Sequence, residues 1–333
     1  MAHGVRQHDA GDFQNQTGRI PDLGAASAPA NLSRAEGLSA RGRSLVITGD
    51  DFGCSREVNA GVIRAFREGV LTGTSLMVAG AARDEAAALA REHRQLDVGL
   101  HLVVCRGHSV LAADRLGGIV DAAARFSESP VGAGLRYFFD RRVRSALRDE
   151  IRAQIETHLE LTGYLNHLDG HLNFHVHPVV ADIVIEAAGE YRIPCMRLPR
   201  EPVTRTLRLA RDHASRKLIE SLIFRTLSRR LLKRMRAHGI RTTNRLFGLH
   251  QTGFISEDYV AGVIARMSPG TTEFYFHPAQ DIGGTPPALA AQLEVRVLTS
   301  QRIREALGRA GVRLTSFAEI ARNGTMSSPD AKE

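Results

Sequence analysis

Eight short apolar stretches, at residues 44–48, 74–79, 98–103, 165–168, 195–198, 245–249, 272–276 and 312–315, alternate with longer segments of helical periodicity. Strands this short, each separated from the next by a helical pattern, are satisfied by β/α units around a largely parallel sheet. Eight of them suggest an α/β barrel. The first crossover carries the pattern openly. Ser55 stands as an N-cap, Val58, Val62, Ala65 and Phe66 share one face, and Gly69 ends the helix. Residues 83–93, 144–163 and 178–191 read as further helices.

Residues 43–320 read as one continuous domain with no internal linker, ample in apolar residues (43%) to fill a core. Residues 1–42 are rich in Gly, Ala, Ser, Asn and Gln and lack the apolar run of a secretory signal, so a disordered tail is expected there, and a flexible one over 321–333. No run approaches the roughly 20 apolar residues that span a bilayer. Cys54, Cys105 and Cys195 are odd in number and scattered, which fits a reducing compartment and a cytoplasmic protein.

Charge is unevenly placed. Residues 197–245 hold fifteen Lys or Arg against Glu201, Asp212 and Glu220, a local +12 in a chain of net +8. Within this stretch a basic helical insertion is expected at 203–243, with Leu218, Leu222, Leu227, Leu231 and Met235 on one broad apolar face. Such a segment suits peripheral contact with anionic lipid at the inner face of a membrane. Nucleic acid is not expected as a partner, because the chain has no Trp, only 5% aromatics and no recognisable nucleic-acid module.

Four polar clusters each attend an expected strand: Asp50–Asp51 after the first, His101 in the third, a run with His167, Asp169, His171, His175 and His177, and His277. In a parallel barrel the strand C-termini converge, so these distant segments can meet. Adjacent carboxylates at a strand end repel and lose hydration unless a cation, a proton or water relieves them. Two or three imidazoles with one carboxylate are the donor set of a borderline divalent metal. One of the two aspartates would then bind the ion and the other take a proton from the water it activates, which is the chemistry of a metal-assisted hydrolase.

At these residues the chain resembles the YdjC-like carbohydrate deacetylases, from about residue 44 to 317. The resemblance rests on "DDFG" (50–53), Asn59 and Gly61, "GTSLM" (73–77), "VGLHL" (98–102), "HLDGH" (167–171) and "FHP" (276–278), in order. "MRLPREP" (196–202) and "FGLHQTG" (247–253) are similar to the branch associated with hopanoid biosynthesis. The resemblance implies a distorted TIM-like (β/α) barrel and hydrolysis of an N-acetyl group from an N-acetylglucosamine-type sugar, on a lipid-linked, hopanoid-borne acceptor. It further implies Asp51, His101 and His171 as metal ligands, Asp50 as general base and His277 as the acid that protonates the departing amine. The ion would be Zn²⁺ or Mg²⁺, with Mn²⁺ and Co²⁺ open.

Relatives often carry more histidines after the "D-x-H", where this chain has Leu172 and Asn173, which leaves His175 a rival to His171. Arg197 and Asp169 are candidates to bind substrate, and His167 to hold Asp169 or a ligand in orientation. Cys54 is expected to pack beneath the site. Soluble chito-oligosaccharides are the alternative substrates, a metal-dependent glycosidase or phosphoesterase the alternative chemistry, and a silent membrane-docking barrel the non-enzymatic reading. Homo-oligomerisation is left open.

Overall fold

Leu45, Val46 and Ile47, in the first half of the first strand, are buried on both of its faces, as befits a parallel sheet covered by helices. The computed structural model describes residues 42–280 and 286–323, all within one compact unit that starts at Ala35. The tail expected over 1–42 lies outside the described residues except for its last position, and that over 321–333 except for its first three, which are helical.

Among the described residues eight strands form one sheet: β1 (Arg43–Phe52), β2 (Gly73–Leu76), β3 (Asp97–Leu102), β4 (His167–Gly170), β5 (Cys195–Met196), β6 (Arg245–Phe247), β7 (Gly270–Phe276) and β8 (Val312–Thr315). Their order is β5-β4-β3-β2-β1-β7-β6, and every pairing is parallel. β8 pairs with Arg43 to Val46 of β1, and β2 with Thr48 to Phe52. The sheet curls into an incomplete barrel whose path ends at β5 and β6. A bridge between Cys195 and Arg241 draws these ends together, with the Arg241 N–H donating to the Pro194 carbonyl at 2.9 Å.

The first crossover is α1 (Arg56–Glu68), with the Ser55 hydroxyl accepting from the Val58 N–H and Gly69 closing it. There follow α2 (Arg83–Glu92), α3 (Pro130–Phe139), α4 (Val143–Thr162), α5 (Pro178–Glu190), α6 (Val203–Leu209), α7 (Ala214–Ala237), α8 (Glu257–Ala265), α9 (Pro286–Thr299), α10 (Gln301–Ala310) and α11 (Phe317–Asn323). Helices α6 and α7 fill the connection between β5 and β6.

The single apolar face expected on α7 is split in two. Leu231 and Met235 are buried and Leu227 is half-buried, whereas Leu218 and Leu222 point outward. The reason is angular: at about 100° per residue, Leu218 and Leu231 lie roughly 140° apart around the helix.

Inward-facing residues alternate along each strand and stack in layers. At the base, Phe317 and Ile320 of α11 pack with Val46 and Cys195 in a small cluster apart from the main core. Above them lie buried polar groups: Thr48 and Asp50 from β1, Asp169 from β4, Arg197 just after β5, and Glu273 from β7. The barrel therefore changes from oil to charge along its axis, toward the strand C-termini.

Candidate metal and catalytic site

A regular strand sends consecutive side chains to opposite faces. Asp50 and Asp51 escape that rule because β1 shifts register between Gly49 and Phe52 and Asp51 adopts a left-handed backbone (φ 67°). Asp50 stays inside the barrel, 2% exposed, while Asp51 is turned to its mouth. A non-glycine residue in that conformation is held by its surroundings. Here the Asn59 carboxamide secures the turn, accepting from the Gly53 N–H at 2.8 Å and donating to the Ala82 carbonyl at 3.1 Å.

Asp51 meets two imidazoles. Its Oδ1 lies 3.2 Å from His101 Nε2 and 3.1 Å from His171 Nδ1, and the two nitrogens are 3.4 Å apart. His101 is presented by β3. Its Nδ1 donates to Asp169 Oδ1 at 2.7 Å, with the Ser75 hydroxyl 3.0 Å away, so that Nε2 is aimed at the mouth. His171 follows β4 in a 3₁₀ segment (His171–Val176) bent by positive φ at Leu172 and Asn173.

The electrostatics follow from these contacts. Burial opposes charge on Asp51, yet its hydrogen bonds to His101 and His171 hold its pKa well below the ordinary carboxylate value. For His101 burial would lower the pKa, but the charge of Asp169 and the bonds to Asp169 and Asp51 raise it to about 10.

Behind this trio lies a buried ion network centred on Arg197. The guanidinium grips both Asp50 oxygens, at 2.6 and 2.7 Å, and reaches Asp169 Oδ2 at 2.8 Å, Glu273 Oε1 at 2.7 Å and the Thr48 hydroxyl at 3.0 Å. Tyr275 covers it, with the ring centroid 4.6 Å from Cζ. Burial pushes the Glu273 carboxyl up to about 7, although Arg197 beside it pulls the other way.

Two groups among the described residues have donor atoms close enough for an ion, within 4.8 Å of one another: Asp51 with His101 and His171, and Asp50 with His101 and Asp169. In the second set, Arg197 already neutralises both aspartates. The first set fits a metal better. For bonds of about 2.0–2.1 Å at tetrahedral angles, donors stand about 3.4 Å apart, close to the observed 3.1–3.4 Å. A carboxylate on the far nitrogen of His101 is also the usual way to orient a metal-binding imidazole.

Several expectations are corrected. His175 does not join the trio: it is buried against Gly170, its Nε2–H donates to the Arg197 carbonyl at 3.1 Å, and burial lowers its pKa to about 4. Arg197 and Asp169, offered as substrate contacts, are both 0% exposed and engaged within the protein. His167 does not support Asp169. Two positions earlier on β4 it sits one layer lower, stacked on Phe317 at 4.4 Å with Nδ1 3.9 Å from Asp97. Cys54 is exposed rather than tucked beneath the site, because the turn at Asp51 and Gly53 carries it outward. His277 follows β7, its ring edge-on to Tyr275 at 5.6 Å and its N–H donating to the buried Glu294 carboxylate.

Sequence reasoning missed Glu273, Tyr275, Thr48 and Glu294. Period-2 counting was the available signal for three of them, since Thr48 lies two residues before Asp50, and Glu273 and Tyr275 lead by twos to His277.

Residues 44–309 match the profile of the family described as YdjC-like protein. The chain belongs to the YdjC-like family. This YdjC-like protein is 30% identical over 303 residues to the human carbohydrate deacetylase, covering 83% of the present chain and 90% of the human one. To the carbohydrate deacetylase of Geobacillus stearothermophilus it is 27% identical over 283 residues, covering 84% and 98%. The match to that of Brevibacillus brevis is 36% identical but spans 150 residues, 45% of this chain and 57% of the relative. Among solved structures, an Enterococcus faecalis V583 protein named for cellobiose-phosphate cleavage superposes with a TM-score of 0.65 at 23% identity, over 84% of this chain and 99% of that one. That likeness establishes the shared fold.

Proposed function

We propose that this YdjC-like protein is a divalent-metal-dependent carbohydrate deacetylase that removes the N-acetyl group from an N-acetylglucosamine-type sugar. The observation that carries the reading is the meeting of Asp51, His101 and His171 beside Asp50, whose carboxylate is fixed by Arg197. Asp51, His101 and His171 would hold the ion, and the two-imidazole, one-carboxylate set favours Zn²⁺ over Mg²⁺, Mn²⁺ or Co²⁺. Once bound, it supplies Lewis acidity toward the acetamide carbonyl and toward a water molecule.

The protein's own groups do the rest. Asp50 accepts the proton of the attacking water through the lone pairs that Arg197 leaves free, and Arg197 keeps that carboxylate in one orientation. Asp169 fixes the tautomer and angle of His101. Breaking the C–N bond releases acetate, and the amine nitrogen takes up a proton, for which His277 is our candidate.

The acceptor we favour is a glycosylated hopanoid lipid, on the strength of "MRLPREP" and "FGLHQTG". These two motifs lie together. The His250 N–H donates to Glu201 at 3.0 Å, and with Phe224 of α7 they line a cavity of about 90 Å³ in the opening between β5 and β6. Three free cysteines are in keeping with a reducing, cytoplasmic setting.

The test is acetate release from N-acetylglucosaminyl lipid and from chito-oligosaccharides, with and without chelator. We expect loss of turnover in chelator and a fall of at least about a hundredfold in Asp50→Asn. Free sugar or phosphate as product would overturn the proposed chemistry, and robust turnover by Asp50→Asn would remove Asp50 from the base role.

A further inference from the structure

Helix α7 buries Lys217, Ser228, Leu231 and Met235, anchors to the barrel through the Ser228 hydroxyl on the Pro199 carbonyl at 3.0 Å, and pairs Arg230 and Arg234 with Asp182 of α5. Its opposite face has no cover among the described residues. Leu218, Ile219, Leu222 and Ile223 are 52%, 62%, 70% and 52% exposed, a contiguous apolar patch over two turns. Scattered exposed leucines are ordinary, but four large apolar side chains together are not. The patch runs into charge along one stripe: Leu218, Leu222, Arg225, Arg229 and Lys233 follow at spacings of four, three, four and four, and the last three are exposed. The only acid of the helix, Glu220, faces Arg216 and His250. At His213, just before the helix, the exposed Phe254 from the segment after β6 packs at 5.3 Å. The inner side of α7 packs against His171–Val176, the segment that carries His171.

We propose that this face of α7 seats the enzyme on an anionic lipid bilayer. Leu218, Ile219, Leu222 and Ile223 enter the headgroup–acyl boundary, and Arg225, Arg229 and Lys233 lie on lipid phosphates. Charge complementarity selects this occupant. A second copy joined by a two-fold axis would set arginine against arginine, and a nucleic acid would leave the apolar half unsatisfied. Docking this way holds the mouth of the barrel beside the membrane surface. The inference rests on and deepens the reading of a lipid-borne substrate, but its deciding readout is vesicle binding rather than turnover.

The full-length protein is floated with phosphatidylcholine vesicles, with or without phosphatidylglycerol, at low and high salt. We expect binding that requires phosphatidylglycerol and weakens with salt. Partitioning should fall at least about tenfold in Leu222→Glu/Ile223→Glu and in Arg229→Glu/Lys233→Glu, with acetate release from a soluble oligosaccharide unchanged. Equal partitioning of wild type and both variants would overturn the proposal, as would failure to bind either vesicle. So would a solution dimer that Leu222→Glu/Ile223→Glu dissociates. Absent turnover with intact vesicle binding would instead count against the deacetylase reading alone.

Discussion

Replacing Arg197 by Met keeps bulk and removes the cation at the centre of the polar layer. The side chain is 0% exposed and meets Asp50, Asp169 and Glu273 at 2.6–2.8 Å. At an effective dielectric near 20, each such pair at close range is worth about 4 kcal/mol before desolvation. Desolvation offsets much of that in the intact protein. It does not offset the loss, because the variant leaves three carboxylates buried with only His101 nearby. Breaking a buried pair costs about 3–5 kcal/mol, so a fall of about 10 °C in Tm is expected for a domain of this size.

Glu273 is the acid that can relieve the variant, since its carboxyl already titrates at about 7 in the intact protein. Adding Glu273→Gln to Arg197→Met should therefore restore about 1–3 kcal/mol, whereas the sum of the single effects predicts a further loss. Urea unfolding of the four proteins in EDTA, at equal ionic strength, measures the cycle. A loss below about 1 kcal/mol in Arg197→Met, or strict additivity, would refute the account of Arg197 as the counter-charge of this layer.

Three further outcomes are expected. Dialysed His171→Gln should lose bound metal by more than the 10–100-fold typical of supporting residues, while His175→Gln keeps it, as elemental analysis would read. His158 on α4 is buried, and burial lowers its pKa from 6.5 to about 3, so its stabilising contribution is present above 6.5 and is lost as pH falls toward 3. That is about 2 kcal/mol by about pH 5, and His158→Leu should show a correspondingly smaller acid loss in unfolding titrations. A Cβ on Gly61 would stand 2.5 Å from Ala279 Cα, so Gly61→Ala should lower stability despite the better helix former. Overpacking of about 1–3 kcal/mol exceeds a propensity gain of about 1, and circular dichroism melts would detect it.

Much of this architecture was legible because burial writes itself into sequence. All eight apolar stretches overlap strands, and Ser55 and Gly69 bound α1 as capping chemistry requires. The aspartates and His101 could be placed at strand ends for the same reason. What pattern could not decide was direction. His171 and His175 differ by one turn of chain, and only the positive φ angles at Leu172 and Asn173 point one toward Asp51 and the other back toward Arg197. Glu273 was hidden within an apolar strand because an inward acid is tolerable only beside an arginine from another stretch. The outer face of α7 was misplaced because leucines spaced across several turns drift around a helix, and proximity in sequence conceals that drift.

The kink in β1 bears on any attempt to transplant this chemistry. An engineer who copies the neighbouring aspartates onto an idealised barrel strand would obtain one acid indoors and one outdoors. The portable unit is a backbone deformation with its latch, Asn59, rather than a pair of side chains.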